Sequence, residues 1–189
     1  NRGVSTIDVA ISAGSSISDL LNDLKAKALA AADASLDTAS RNALNADFTA
    51  LRDQITAIVQ NANFNGTNLV DGSVTSITAL ASADGTKRIT VMGVNMSLSQ
   101  SIVTVSTTST ISTQAKASAM ISTVNASIQN VNATLAKLAS GEKKYTIQND
   151  FVSKLVDTLN MGIGNLVDAD MAVESARLQS LQVKQQLGV

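Results

Sequence analysis

The 189-residue chain has no proline, cysteine, histidine or tryptophan, and its only aromatic residues are three phenylalanines and one tyrosine. Each absence excludes something. Without cysteine or histidine there is no zinc site of the usual nitrogen and sulfur type, no thiol nucleophile, no Ser-His-Asp triad and no haem held by His or Cys. Without cysteine there is no disulfide, so cysteine usage does not report the compartment. Aromatics make up 2% of residues, so the core has to be built from Leu, Ile, Val, Ala and Met. The length suffices for one domain with a real core, or one domain with an appendage. Proline breaks helix interiors at a cost of about 3 kcal/mol, and its absence permits long uninterrupted helices. An excess of one charge is lacking too. Fourteen Lys and Arg against fifteen Asp and Glu leave a net charge of −1. That balance argues against nucleic acid as the main partner, because duplex binding needs a clustered basic surface.

Long apolar runs are also missing. The longest charge-free stretch is Ile89 to Ala115, and its Thr104 to Thr113 portion is mostly Ser and Thr. No segment reads as a membrane span. The opening Asn1-Arg2-Gly3-Val4 does not start a signal peptide, since no charged region precedes an apolar core. The sequence begins inside a periodic pattern without Met, as a trimmed protein does.

What is present is helical periodicity. Leu44, Phe48, Leu51, Ile55, Ile58 and Ala62 are spaced 4-3-4-3-4, an apolar seam on one helix face. A second seam runs through Ile121, Val124, Ile128, Val131, Leu135 and Leu138. In the same register it continues through Glu142, Tyr145, Asn149, Val152, Val156, Leu159, Ile163 and Leu166. The polar Glu142 and Asn149 at seam positions fix register at some cost in stability. At about 1.5 Å per residue, a helix of about 45 residues is a rod of roughly 70 Å, so the pattern predicts an elongated molecule. The N-terminal stretch is less regular but also helical, with Ile7, Ile11, Ile17, Leu20, Leu21, Leu24 and Ala28 as its stripe and a polar break near 33–40. A last segment from Met171 to Leu187 carries Leu178, Leu181 and Leu187 on one side. Asp168 and Asp170 stand at its start, where acids favour a helix N-terminus, and Gly162 and Gly164 before it loosen the long helix.

The middle differs. Asn65-Gly66 and Asp71-Gly72 are turn signals. Thr75 to Ala81 and Arg88 to Met92 are β-prone runs around Asp84-Gly85, a dipeptide suited to a tight hairpin. A two-residue loop there sets Leu80 opposite Ile89 and Thr78 opposite Val91. Residues 94–110 suit either a further strand or an irregular segment. The expected fold is therefore mainly α: an elongated antiparallel helical bundle or coiled-coil rod with a small β-hairpin insert. Helices are expected at about 1–33, 40–62 and 113–166, the insert at about 74–100, and a separate C-terminal helix within 167–189.

Specific residues resemble a family. Phe64 to Gly72 (Phe-Asn-Gly-Thr-Asn-Leu-Val-Asp-Gly) is similar to the turn after the second conserved helix of bacterial flagellins. Ile163 to Met171, then Glu174-Ser175 and Leu178, resembles the flagellin C-terminal signature, as does the closing Gln185-Gln186-Leu187-Gly188. Leu51-Arg52-Asp53-Gln54-Ile55 sits where flagellins carry a similar helix. The motifs occur in the family's order, and the resemblance covers essentially the whole sequence. The Ser, Thr and Ala-rich style resembles alphaproteobacterial flagellins.

The resemblance implies a D1-like core over 1–166 and the start of a D0-directed helix over 167–189. Full flagellins carry a long terminal helix at each end, so the protein resembles a flagellin trimmed to its D1 core, and a monomer is expected from it. The implied function is a structural subunit of the extracellular flagellar filament, which serves swimming motility. Its implied partners are other flagellin subunits, the flagellar type III export machinery with an export chaperone, and the hook-filament junction and cap proteins. No catalytic, cofactor or metal site is expected; flagellins with an inserted zinc protease need histidines that this sequence lacks. Many flagellins also carry an Arg-hydrophobic-Arg-Glu-Leu run that the animal innate-immune flagellin receptor reads. Counting back from Phe64-Asn65-Gly66, the aligned residues here are Asp23, Leu24, Lys25, Ala26 and Lys27. The acid at the receptor-facing Arg position opposes binding.

The residues expected to form the intramolecular helix seam are Leu44, Phe48, Leu51, Ile55, Ile58, Ile121, Val124, Ile128, Val131, Leu135, Leu138, Val152, Val156 and Leu159. Amphipathic stripes usually pack on each other within one subunit. Contacts between subunits then fall to polar faces carrying Arg41, Asp47, Arg52, Asp53, Lys137, Lys143 and Lys154. Asp168, Asp170 and Glu174 read as helix-start acids rather than a metal cluster, for no polar ligand set surrounds them. Ser106 to Thr113 reads as a solvated loop, with O-linked sugars as the alternative. The competing functional reading is an intracellular coiled-coil interaction or signalling module, which predicts continuous seams and no β insert.

Overall fold

The computed structural model describes residues 2–80, 82 and 86–188. Three helices make up most of the protein: α1 (Arg2–Ala31), α2 (Thr38–Asn61) and α3 (Gln114–Leu187). Between α2 and α3 lie four short strands: β1 (Asn63–Phe64), β2 (Thr67–Asn68), β3 (Ser76–Leu80) and β4 (Arg88–Met92). The protein divides into two compact units. One comprises Asn1–Ala79 with Arg88–Thr146, the other Leu80–Lys87 with Ile147–Val189.

In the first unit α1 and α2 pack against each other, and the early part of α3 joins their core. The buried line of α1 is Ile7, Ala10, Ala13, Gly14, Ile17, Leu21, Leu24, Ala28 and Ala31. The small residues Ala10, Ala13 and Gly14 let the helices approach closely. A Cβ on Gly14 would stand 2.7 Å from Leu135 Cδ2 of α3. At the N-terminal end of α1, Tyr145 of α3 lies against Gly3 so closely that any side chain there would meet its ring. Ser18 Oγ donates to Asn132 Oδ1 at 3.2 Å, a polar tie between α1 and α3.

The turn between α1 and α2 is built from its own polar residues. Arg41 donates from Nε to the Ala31 carbonyl (3.0 Å) and from Nη2 to the Asp33 carbonyl (2.8 Å), satisfying the frayed end of α1. Asp37 is the N-cap of α2, its Oδ1 accepting from the Ser40 amide at 2.9 Å. Hydrogen bonds from the backbone and side chain of Ser35 hold the Asp33 carboxyl below its usual range, and those from the side chain and backbone of Ser40 do the same for Asp37.

β1 and β2 form an antiparallel pair with Asn63 opposite Asn68 and Phe64 opposite Thr67. Asn65 (φ 54°) and Gly66 (φ 82°) make the two-residue connection, and both sit in the left-handed region that Asn-Gly tolerates best. Buried Asn68 then steers the backbone that follows. Its Nδ2 donates to the Val59 carbonyl at 2.7 Å, and its Oδ1 accepts from the Val70 and Asp71 amides. β3 and β4 form the second two-stranded sheet. The expected Asp84-Gly85 turn lies outside the described residues.

Residues 94–113 hold no strand of their own, only the isolated bridges Asp71 to Asn95 and Leu98 to Val103. The segment is irregular yet anchored. Met96, Leu98, Val103, Val105 and Ile111 are buried. Arg52 Nη1 donates to the Ser109 carbonyl (2.7 Å), and Asn45 Oδ1 accepts from the Ile111 amide (2.7 Å). On the α3 side, the Thr104 amide donates to Ser127 Oγ (3.0 Å), and Asn130 Nδ2 donates to the Ser101 carbonyl (3.2 Å).

α3 runs without a break from Gln114 to Leu187, through Gly162 and Gly164 and across position 166. The separate last helix expected from Met171 is therefore part of α3. Two glycines cost a helix about 1 kcal/mol each, too little to end one whose flanking residues include no proline.

Candidate assembly surface

The first-unit seam is largely internal. Phe48, Ile55, Val124, Val131 and Leu138 are buried, and Leu44, Leu51, Ile58, Ile121, Ile128 and Leu135 pack partly buried against the same core. The most buried line of α3 keeps Val124, Val131 and Leu138 but takes Ser127 and Thr134 in place of Ile128 and Leu135. It runs Val124, Ser127, Val131, Thr134, Leu138. Two hydroxyl residues sit in it because each bonds a carbonyl one turn back, Ser127 to Thr123 (3.0 Å) and Thr134 to Asn130 (2.7 Å). An apolar-only search passes over them, as it passes over Ala10, Ala13 and Gly14 of α1.

The charged candidates separate into tied and untied groups. Lys27 bonds Asp47 at 2.7 Å, Arg52 bonds Asp53 at 2.7 Å as well as Ser109, and Arg41 is held by the α1–α2 turn. These groups stabilise the subunit itself. Lys137, Lys143 and Lys154 have no ion-pair partner among the described residues. Lys137 borders a shallow groove of about 500 Å³ floored by Val91, Val94 and Leu138.

The second unit presents a different surface. Beyond Thr146, α3 leaves large apolar side chains in solvent, among them Phe151, Leu159, Ile163, Leu166, Met171 and Leu178. Leu166 is 72% exposed. Val152 is half-buried, whereas Val156 and Leu159 of the expected seam are exposed. An apolar surface of this extent marks a region that packs on other helices. Asp168, Asp170 and Glu174 lie exposed on the same stretch, and among the described residues no group of acids is placed to hold a metal ion. No described helix is long and apolar enough to cross a membrane. In the receptor-aligned stretch Leu24 is buried, Asp23 is exposed and Lys27 is engaged by Asp47.

Helices over an aliphatic core, with large apolar side chains of α3 left in solvent, define a protein built to associate through helix packing. Residues 1–75 match the model of the bacterial flagellin N-terminal helical region, and residues 121–189 match that of the C-terminal helical region. The flagellin FljK of Caulobacter vibrioides is 52% identical over 188 residues, covering 100% of this chain and 68% of that protein. A flagellin of Brucella melitensis is 31% identical over 196 residues, covering 99% and 69%. Among solved structures, the crystal structure of Bacillus cereus flagellin superposes with a TM-score of 0.69 at 24% identity, covering 79% of this chain and 85% of that one. The protein belongs to the bacterial flagellin family. It is a structural subunit of the extracellular flagellar filament and not an enzyme, it associates with other flagellins, and it has alphaproteobacterial relatives. The intracellular coiled-coil alternative has no support.

Proposed function

We propose that the two units divide the work of polymerisation. The first unit is a self-contained rod segment whose seam residues, from Leu44 to Leu138, hold three helices together. The apolar surface of α3 beyond Thr146 is closed by other flagellin helices in the filament. The observation that carries this reading is the exposure of Leu159, Ile163, Leu166, Met171 and Leu178 on one continuous helix. Lys137, Lys143 and Lys154 supply polar contacts at the edges, since Arg41, Asp47, Arg52 and Asp53 are engaged internally.

On this reading the subunit leaves the cell through the flagellar type III export machinery with an export chaperone, and it meets the cap and the hook-filament junction at the filament ends. The test is incorporation. Full-length subunits carrying Leu166→Asp should be exported yet fail to enter filaments seen by electron microscopy, with the melting of the first unit unchanged. Normal filaments from that variant would overturn the assignment of this face.

A further inference from the structure

The sequence holds a single Asn-Gly dipeptide, Asn65-Gly66. Asn-Gly is the dipeptide most open to spontaneous deamidation, because glycine offers no side chain to hinder its own amide nitrogen. In that reaction the Gly66 nitrogen loses its proton and attacks Cγ of Asn65. A new bond forms between that nitrogen and Cγ, the Cγ–Nδ2 bond of the asparagine breaks, and ammonia leaves. Water then opens the five-membered imide to aspartate or isoaspartate, and no electrons change hands.

The local geometry favours exposure to this chemistry in one respect and opposes it in another. Asn63, Asn65 and Gly66 are all exposed, and nothing stands within 4 Å of where a Gly66 side chain would begin. Yet the Gly66 amide donates to Asn63 Oδ1 at 2.9 Å. That bond aims the nitrogen at Asn63 instead of Asn65 Cγ and holds the proton that must leave before attack. The hairpin adds a second restraint, since pairing of Phe64 with Thr67 fixes Asn65 at φ 54° and Gly66 at φ 82°. Cyclisation has to turn the intervening peptide out of this arrangement. The Asp71-Gly72 pair is guarded differently, its Gly72 amide donating to the backbone carbonyl of Val94 at 3.2 Å. Of these two pairs, only Asn65-Gly66 has a guard that rests on one exposed side chain.

We propose that Asn65 is the deamidation site of this protein and that Asn63 is the positioning residue that slows it, by withholding the Gly66 nitrogen. Conversion to isoaspartate inserts an extra backbone carbon into a two-residue turn and ends the Phe64–Thr67 pairing. It also adds a negative charge three residues before Asn68, which steers the backbone out of α2.

The experiment follows the gain of one mass unit at Asn65, with isoaspartate identified in the peptide, during incubation of the full-length protein at mildly alkaline pH. Asn63→Ala, with helicity unchanged, should deamidate about fivefold faster than the parent, the effect of releasing one ordinary hydrogen bond. Asn63→Asp keeps an acceptor at the same place and should stay near the parent rate. In denaturant the parent and Asn63→Ala should react equally fast and faster than the folded parent. Equal rates for the folded parent and Asn63→Ala would overturn the proposal. So would an Asn63→Asp rate matching Asn63→Ala, or an acceleration by Asn63→Ala that persists in denaturant.

Discussion

At the scale of single residues, burial decides consequence. Phe48 is fully buried at the centre of the α2 seam. Phe48→Ala removes the largest buried side chain and leaves a cavity, so a loss of about 3–5 kcal/mol is expected in urea unfolding. Leu166→Ala, at an exposed site, should move the same transition by less than about 0.5 kcal/mol. Gly93 is sensitive for another reason. A Cβ there would run into the backbone carbonyl of Val74, which cannot rotate away as a side chain can. Gly93→Ala should therefore lower the melting temperature clearly, whereas Gly162→Ala, in open space on α3, should raise helicity through a gain of about 0.5–1 kcal/mol.

At the scale of elements, the α1–α2 turn is the pH-sensitive joint. Both its carboxylates are held below the ordinary value of 3.8 by bonds from Ser35 and Ser40. A lowered folded value means that the stabilisation is complete above the unfolded value and fades as pH falls through the folded one. The helical signal should therefore begin to soften below about pH 4, and Asp37→Asn should flatten that acid limb; circular dichroism against pH checks both.

The helices were legible because their apolar residues recur at spacings of three and four, as Leu44, Phe48, Leu51 and Ile55 do. The Asn65-Gly66 turn was legible because few residues accept a positive φ. The anchoring of residues 94–113 was not. It depends on Asn45, Arg52, Ser127 and Asn130 reaching backbone groups far away in sequence, and such bonds leave no periodic trace. The continuity of α3 through its glycines was hidden too, since a local cost of this size reveals nothing about whether a long helix absorbs it.

For the whole molecule, the function rests on which apolar surface is covered by the subunit itself and which is offered to others. Up to Leu138 the apolar periodicity falls on residues that are buried or half-buried in the first unit. Beyond Thr146 the same periodicity continues, but one sequence does not say who supplies the opposite face, so Val156 and Leu159 looked no different from Val124 and Val131. The receptor-aligned stretch Asp23 to Lys27 gives a further expectation at this scale. Intact filament protein should activate the animal innate-immune flagellin receptor weakly or not at all in a cell reporter assay, if the exposed Asp23 takes the place that the resemblance gives to the receptor-facing arginine. A response of normal potency would refute it.

The contact between Tyr145 and Gly3 has an optical consequence. The protein has one tyrosine and no tryptophan, so its emission on excitation beyond the phenylalanine band comes from a single ring, and that ring rests on the first turn of α1. The intensity of that emission reads out whether α1 is seated on α3, with no dye or label attached. Gly3→Leu, which unseats the ring, supplies the spectrum of the undocked state from the same protein.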